Sequence, residues 1–354
     1  MSQKKFIHRI NAALRKAMQI DPLVLCYGLG INDSARIFGT TTRLLEEFGE
    51  NRVFDMPTAE NGMTGVGIGL AINGFRPVLS HCRLDFALLS LDQIINGAAK
   101  WYSLFAGTMP VPLTIRAIVG RGWGQGPTHC QSLQACFAHI PGLKVVMPSL
   151  AEDAYGLLLS SIFDDNPVIF IEHRWLHNIH VNEVEDSYRY IPLGQARKVI
   201  EGTDITVVAM SYMTIEALHT LKFLKKAQGI HCELIDLRTI KPLDWETIYV
   251  SIRKTGRLLV LDTGFEFCSV ASEIIAKASI DCFSSLLAPP KRLATPDYPV
   301  LTSPTLATPM YTYSDDIVRA VAEVLKLPVN VEPLQKERDA KPRDVPGDWF
   351  GGPF

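Results

Sequence analysis

The chain has 354 residues, 47% of them hydrophobic and 20% charged, with a formal net charge of −2. That balance excludes an electrostatic case for nucleic acid or a membrane surface, and no apolar run reaches the roughly 18 residues of a membrane span. Seven scattered cysteines without a C-x-x-C pair suit a reducing compartment, so a soluble cytoplasmic protein of about two domains is expected.

In chain order, Phe6, Ile10, Ala13, Leu14 and Ala17 recur at helical spacing in a basic amphipathic segment. A targeting peptide can look like this, but so does the first helix of a fold. Leu23 to Gly30 (LVLCYGLG) reads as a buried strand entering a loop. The stretch from Arg52 to Phe86 then places one carboxylate, Glu60, just before a glycine-rich apolar run. Glycines at 65, 67 and 69 let backbone or a flat ligand come close. A carboxylate at the lip of an apolar surface can trade protons near neutral pH; a packed core helix behind a loop acid is the equal alternative. Asp85 raises the thought of a dinucleotide fingerprint, but the third glycine is missing and a polar loop precedes the run, so nucleotide binding is not expected.

After Phe86, Leu91, Ile94, Ile95 and Ala98 predict an amphipathic helix, and VPLTIRAIV (Val111 to Val119) a central parallel strand. The glycine-rich loop GRGWGQGPTHCQS ends at His129. Loop histidines are more often surface or packing residues than catalysts. LKVVMPS and AEDAYGLLLSSIFDDNPVIFIEH read strand, helix, strand, the alternation of a doubly wound sheet. Three histidines in HRWLHNIH (His173 to His180) lack a cysteine or carboxylate partner nearby, which argues against metal. From Gly194 a second run of strands and helices begins, with a helix stop at Gly229. The expected organisation is α/β with two doubly wound domains, 1–180 and 194–327, joined by a linker at 181–193. The proline-rich tail 328–354 reads as extended and disordered, with Trp349, Phe350 and Phe354 as a short docking peptide.

Three blocks carry a resemblance: RVFDMPTAENG, GFRPVLSHCRLDFALLSLDQIINGAAKW and THCQSLQACFAHIPGLKVVMPS. From about Lys5 to about Leu327 the chain resembles the beta subunit of the first component of thiamine-diphosphate-dependent 2-oxo acid dehydrogenases, of the pyruvate or branched-chain type. The resemblance implies a transketolase-like pyrimidine-binding domain followed by a transketolase C-terminal domain. It makes Glu60 the acid that hydrogen-bonds the cofactor's aminopyrimidine, so that the ring can take up the thiazolium proton. Phe86 matches the aromatic that stacks on the pyrimidine, Cys82 a residue near the cofactor, and His129 the histidine facing the substrate carboxylate. Leu113, Ser161, Asp164 and Asn166 match positions that hold a structural potassium ion through oxygen ligands.

Two departures stand out. Leu29 occupies the place of a family glutamate that links active sites, and Arg83 stands where relatives carry a small or aromatic residue. The diphosphate signature G-D-G with later asparagines is also missing, since Gly347-Asp348 is followed by Trp349. The resemblance therefore implies half a site. An alpha-type subunit would bring magnesium and the diphosphate contacts in a heterotetramer, and a lipoyl acyltransferase core would accept the acyl unit of a small 2-oxo acid. A split transketolase-like carboligase and a non-catalytic scaffolding subunit are the alternatives.

Overall fold

The computed structural model describes residues 4–181 and 189–340; the docking peptide expected at Trp349, Phe350 and Phe354 lies outside them. The amphipathic stripe near the start becomes the helix Phe6–Ile20, which buries Phe6, Ile10, Ala13, Leu14 and Ala17. These side chains share a core with the helix Ala151–Ile162, so the segment is part of the fold.

The strands of the first domain are β1 (Lys4–Lys5), β2 (Val24–Gly28), β3 (Val53–Asp55), β4 (Arg76–His81), β5 (Thr114–Val119), β6 (Lys144–Val146), β7 (Val168–His173) and β8 (His180–Val181). β1 and β8 pair only with each other. The remaining six lie parallel in the order β6-β7-β5-β4-β2-β3. β2, β5 and β7 are buried at every position, as their continuous apolar runs require once helices cover both faces.

The second domain contributes β9 (Arg197–Ile200), β10 (Ile205–Ala209), β11 (Cys232–Asp236), β12 (Thr239–Lys241), β13 (Leu258–Phe265) and β14 (Lys291–Thr295). Its sheet runs β14-β13-β10-β11-β9, parallel apart from β9. β12 is the exception: it pairs antiparallel with β6 and extends the first domain's sheet. Arg238 beside it donates Nε and Nη2 to Asp153 at 3.0 and 2.9 Å. Lys241 Nζ caps the carbonyls of Ala138 and Ile140 at 2.7 and 2.9 Å. One apolar core, including Ile115, Val145, Ile235, Ile240 and Val260, runs through both domains.

Two expectations need local amendment. The helix expected around Leu91 to Ala98 forms, but it is not a regular α-helix: a 3-10 turn (Leu88–Ser90) precedes it and a π-helical turn (Gln93–Ala98) runs into the α-helix Ala99–Leu104. Gly97 sits there against Ile68, close enough that a Cβ would lie 2.9 Å from Ile68 Cδ1. Such widened turns recur near functional sites. The extended tail expected from residue 328 is instead helical over Glu332–Asp339. One apolar anchor, Leu334, reaches the second domain's core, and Arg338 Nη1 pairs with Asp315 Oδ1 at 2.6 Å. Composition spoke for disorder; long-range contacts, with Val329 and Val331 also packed on that core and Glu337 3.2 Å from His219 Nε2, decided otherwise.

Candidate active site

The carboxyl ends of β3, β4 and β5 lie along one edge of the first sheet, and each leads into one of the residues singled out from sequence. Beyond β3, a short loop ends in the helix Glu60–Ile72, with Glu60 in its first turn. Beyond β4 come Cys82, Arg83 and the turn of helix Leu84–Ala87 that carries Phe86. Beyond β5 the glycine-rich loop ends at His129. Gly120 opens that loop, and a Cβ there would lie 2.1 Å from the His129 carbonyl oxygen. Glycine alone permits the two ends to meet.

Glu60 is 7% exposed, and among the described residues its carboxylate has no hydrogen-bond or ion-pair partner. A carboxylate left without a partner in this way is free to bond a ligand. The helix behind it explains the glycine pattern in two ways. A Cβ at Gly67 would lie 2.4 Å from Tyr27 Oη, and one at Gly65, on a different face, 3.2 Å from Gln93 Oε1, so these glycines are packing requirements. Gly62 and Gly69 meet nothing within 4 Å, and the helical repeat puts both on the side of the helix away from Glu60.

Phe86 is half-buried, and its ring meets His129 edge-on with centroids 5.5 Å apart and planes at 83°. His129 Nδ1 lies 3.0 Å from Thr128 Oγ1. The structure therefore brings together two residues 43 positions apart (129 − 86). A brace that sequence reading missed holds them: Asp85 Oδ1 accepts from Gln131 N at 3.4 Å and Gln131 Nε2 at 2.8 Å. The acid that a dinucleotide site would need is thus committed to positioning the turn and the loop. Cys82 donates its thiol to the Leu29 carbonyl at 3.1 Å, and burial raises its pKa above the ordinary thiol value. Leu29 itself packs with Tyr27, Met56 and Met63 in an apolar cluster.

Arg83 is 6% exposed. It donates to the Cys82 carbonyl at 2.8 Å and Gln125 Oε1 at 3.2 Å, and stacks over Phe38 at 5.0 Å. Burial lowers its pKa. A surface ion pair is therefore not its role. His139 ends the short helix Gln134–His139, away from this edge in the chain.

Below the edge lies a cluster that periodicity could not reveal. Arg116 on β5 meets Glu172 on β7 with Nε and Nη2 both 2.7 Å from Oε1. Its Nη1 donates to Ser80 on β4 at 3.2 Å. His177 Nε2 lies 3.1 Å from Glu172 Oε2, and both side chains are fully buried. Three adjacent strands are so tied together immediately beneath the candidate site. Burial raises the Glu172 pKa, but Arg116 and His177 outweigh it and hold the value below the ordinary 4.5. Burial keeps His177 and, more strongly, His173 below the ordinary imidazole value, hence neutral. No group of three or more His, Cys, Asp or Glu suited to a metal occurs among the described residues.

The four positions matched to potassium also converge. Val168 N donates to the Leu113 carbonyl at 3.0 Å, and Arg76 Nη1 to that of Asp164 at 3.1 Å. The Ser161 carbonyl accepts from Thr114 Oγ1 and Asp164 N at 3.0 and 3.3 Å. Asn166 N donates to Asp164 Oδ1 at 2.9 Å. A carbonyl has two lone pairs, so oxygens at Leu113 and Asp164 can still serve a cation.

Comparison with known proteins adds a second line of support. Family models described as "Transketolase, pyrimidine binding domain" and "Transketolase, C-terminal domain" match residues 3–178 and 194–318. The mitochondrial pyruvate dehydrogenase E1 component subunit beta-1 of Oryza sativa subsp. japonica is 40% identical over 88% of this chain and 84% of its own length. The 2-oxoisovalerate dehydrogenase subunit beta of Bacillus subtilis is 37% identical over 92% of this chain and 99% of its own. A solved split-gene transketolase, described as an inactive beta4 tetramer, superposes with a TM-score of 0.74 over 92% of this chain, at 22% identity. That last likeness concerns fold alone. Among the described residues no helix is long and apolar enough to cross a membrane.

Proposed function

This chain belongs to the transketolase-like family of 2-oxo acid dehydrogenase beta subunits, and on that premise we propose that it is the beta subunit of a thiamine-diphosphate-dependent 2-oxo acid dehydrogenase. The observation that carries the reading is the partnerless Glu60 carboxylate on the same sheet edge as the Phe86–His129 contact. Those residues fit the pyrimidine half of the cofactor. Phe86 offers a π-face, and Glu60, without a partner among the described residues, can bond the ring nitrogen. When bound, thiamine diphosphate supplies a nucleophilic carbon that takes up the 2-oxo acid.

The roles of this chain follow. Glu60 holds or releases a proton at the pyrimidine, Phe86 fixes the ring's plane, and Cys82 lines the same turn. His129, edge-on to Phe86, presents an imidazole to the substrate carboxylate and acyl group. Diphosphate and magnesium fall to an alpha-type partner, because the motif that would bind them is missing from this sequence. A lipoyl group on an acyltransferase core takes the acyl unit. The carboligase reading left open by Leu29 and Arg83 is not favoured, since relatives at 37–40% identity are named as dehydrogenase subunits. A scaffolding role is disfavoured by the joint retention of Glu60, Phe86 and His129.

Co-purification of the tagged chain, followed by assay of the complex, tests this. An alpha-type partner bearing the diphosphate motif, with 2-oxo-acid-dependent reduction of a lipoyl acceptor, is expected. A complex that only joins the two-carbon unit to aldehydes would replace the reading with the carboligase.

The same proposal includes potassium at Leu113, Ser161, Asp164 and Asn166. Exchanging potassium for choline at constant ionic strength should lower Tm by ~5–10 °C, the effect of losing a ligand held about a hundredfold above its dissociation constant. An unchanged melt would remove the ion from this loop.

A further inference from the structure

The carboxyl edges of the two sheets face one another across a small cavity. Arg121, Ser132 and His173 line it from the first domain; Met213, Asp262 and Thr263 line it from the second. In the second sheet, β10 leads to β11 on one side, and the chain returns as β13 on the other. Open α/β sheets bind ligands outside the carboxyl ends of the strands at such a switch point. Ser211, just past β10, is held at φ 51°, a left-handed conformation that a non-glycine residue keeps only where its surroundings impose it.

Arg121 is 5% exposed. Its guanidinium lies 4.1 Å from the ring centroids of both Trp175 and Tyr311, with Tyr313 and Tyr212 at 5.3 and 5.4 Å. Ring faces attract a desolvated cation but supply no hydrogen-bond acceptor for its N–H groups. Nε is buried without a hydrogen-bond partner. The acids nearby hydrogen-bond elsewhere, and Glu216 acts on Arg121 only through its charge. Glu216 accepts from Ser314 Oγ at 2.6 Å. Asp262 accepts from Gln134 Nε2, Gly264 N and Ala271 N at 2.6, 2.8 and 3.0 Å. A second donor stands at the wall. His173 Nδ1 accepts from Trp175 N at 3.2 Å, which assigns the ring proton to Nε2.

We propose that this interdomain cavity binds one small oxyanion, gripped by the in-plane N–H groups of Arg121. The planar fork suits a tetrahedral oxyanion or a short carboxylate equally. The site stands at the root of the loop whose far end is His129, so its occupant would steady that loop from behind.

Thermal melts and calorimetry of the full chain in its native assembly, with phosphate or acetate at constant ionic strength, distinguish the two sources. A saturable rise in Tm with one anion per chain is expected, and Arg121→Gln should weaken it at least tenfold. Diffraction from unmodified crystals soaked in selenate should place selenium beside Arg121, which keeps the test decisive if the variant does not fold. No anion effect on the unmodified protein, no selenium at the cavity, or an effect that survives Arg121→Gln would each overturn the proposal.

Discussion

Glu60→Gln in the assembled complex should lower 2-oxo acid turnover by about 10²–10⁴-fold, the range lost with a general acid–base group, while the melt of the cofactor-free protein changes little. The dissociation of the two effects is the point. Glutamine keeps the volume but not the charge, and no hydrogen bond or ion pair to Glu60 exists among the described residues to be broken. A carboxylate with no partner in this chain holds no contact that the fold depends on, so its replacement costs the fold little. Steady-state turnover and melting of the same preparation would be measured together. Full activity in the variant would end the cofactor role of Glu60 and revive the scaffolding reading. Lost activity with a collapsed melt would mean instead that Glu60 is structural.

Arg116→Met should destabilise the protein by about 3–5 kcal/mol, because it leaves Glu172 fully buried without its counter-charge. For a domain of this size that is a fall in Tm of ~10 °C or more. The pH dependence carries the sign of the mechanism. In the native protein Glu172 has a pKa below the ordinary 4.5. Its contribution is therefore complete above that value and lost as pH falls through the lower folded value. Without Arg116, burial is opposed by His177 alone, and the pKa rises. The variant then carries a penalty above pH ~4.5 that fades on acidification, so the gap between variant and native protein should narrow toward low pH. A gap that is small, or constant from pH 4 to 8, would show that the cluster is not what ties β4, β5 and β7 together.

How much of this was legible in the sequence depends on the reach of each interaction. The alternation of buried strands and helices is written in runs of a few residues, so both sheets could be anticipated from Val111 to Val119 or Ile205 to Ala209. Glu60, Phe86 and His129 could be singled out because each sits in a local motif. Gln131 could not be recognised as the brace for Asp85, nor Glu172 as the partner of Arg116, since these pairs lie 46 and 56 positions apart. No periodicity records such distances. The helix at Glu332–Asp339 escaped for the converse reason: its composition is that of a tail, and the contacts of Leu334, Glu337 and Arg338 with the folded body are all long-range.

β12 gives the polypeptide a dependence that its domain boundaries conceal. As the chain leaves the ribosome, the first sheet stays unfinished until Lys241 has emerged, because β6 is its bare rim until then. A fragment ending at residue 193 would present that rim to any other chain, along with apolar side chains meant for Ile235, Ile240 and Val260. Its expected fate is precipitation, and a soluble, monomeric fragment in a sedimentation run would count against this order of assembly. The unit that this gene product can fold, export or recombine is therefore the pair of domains, not either one.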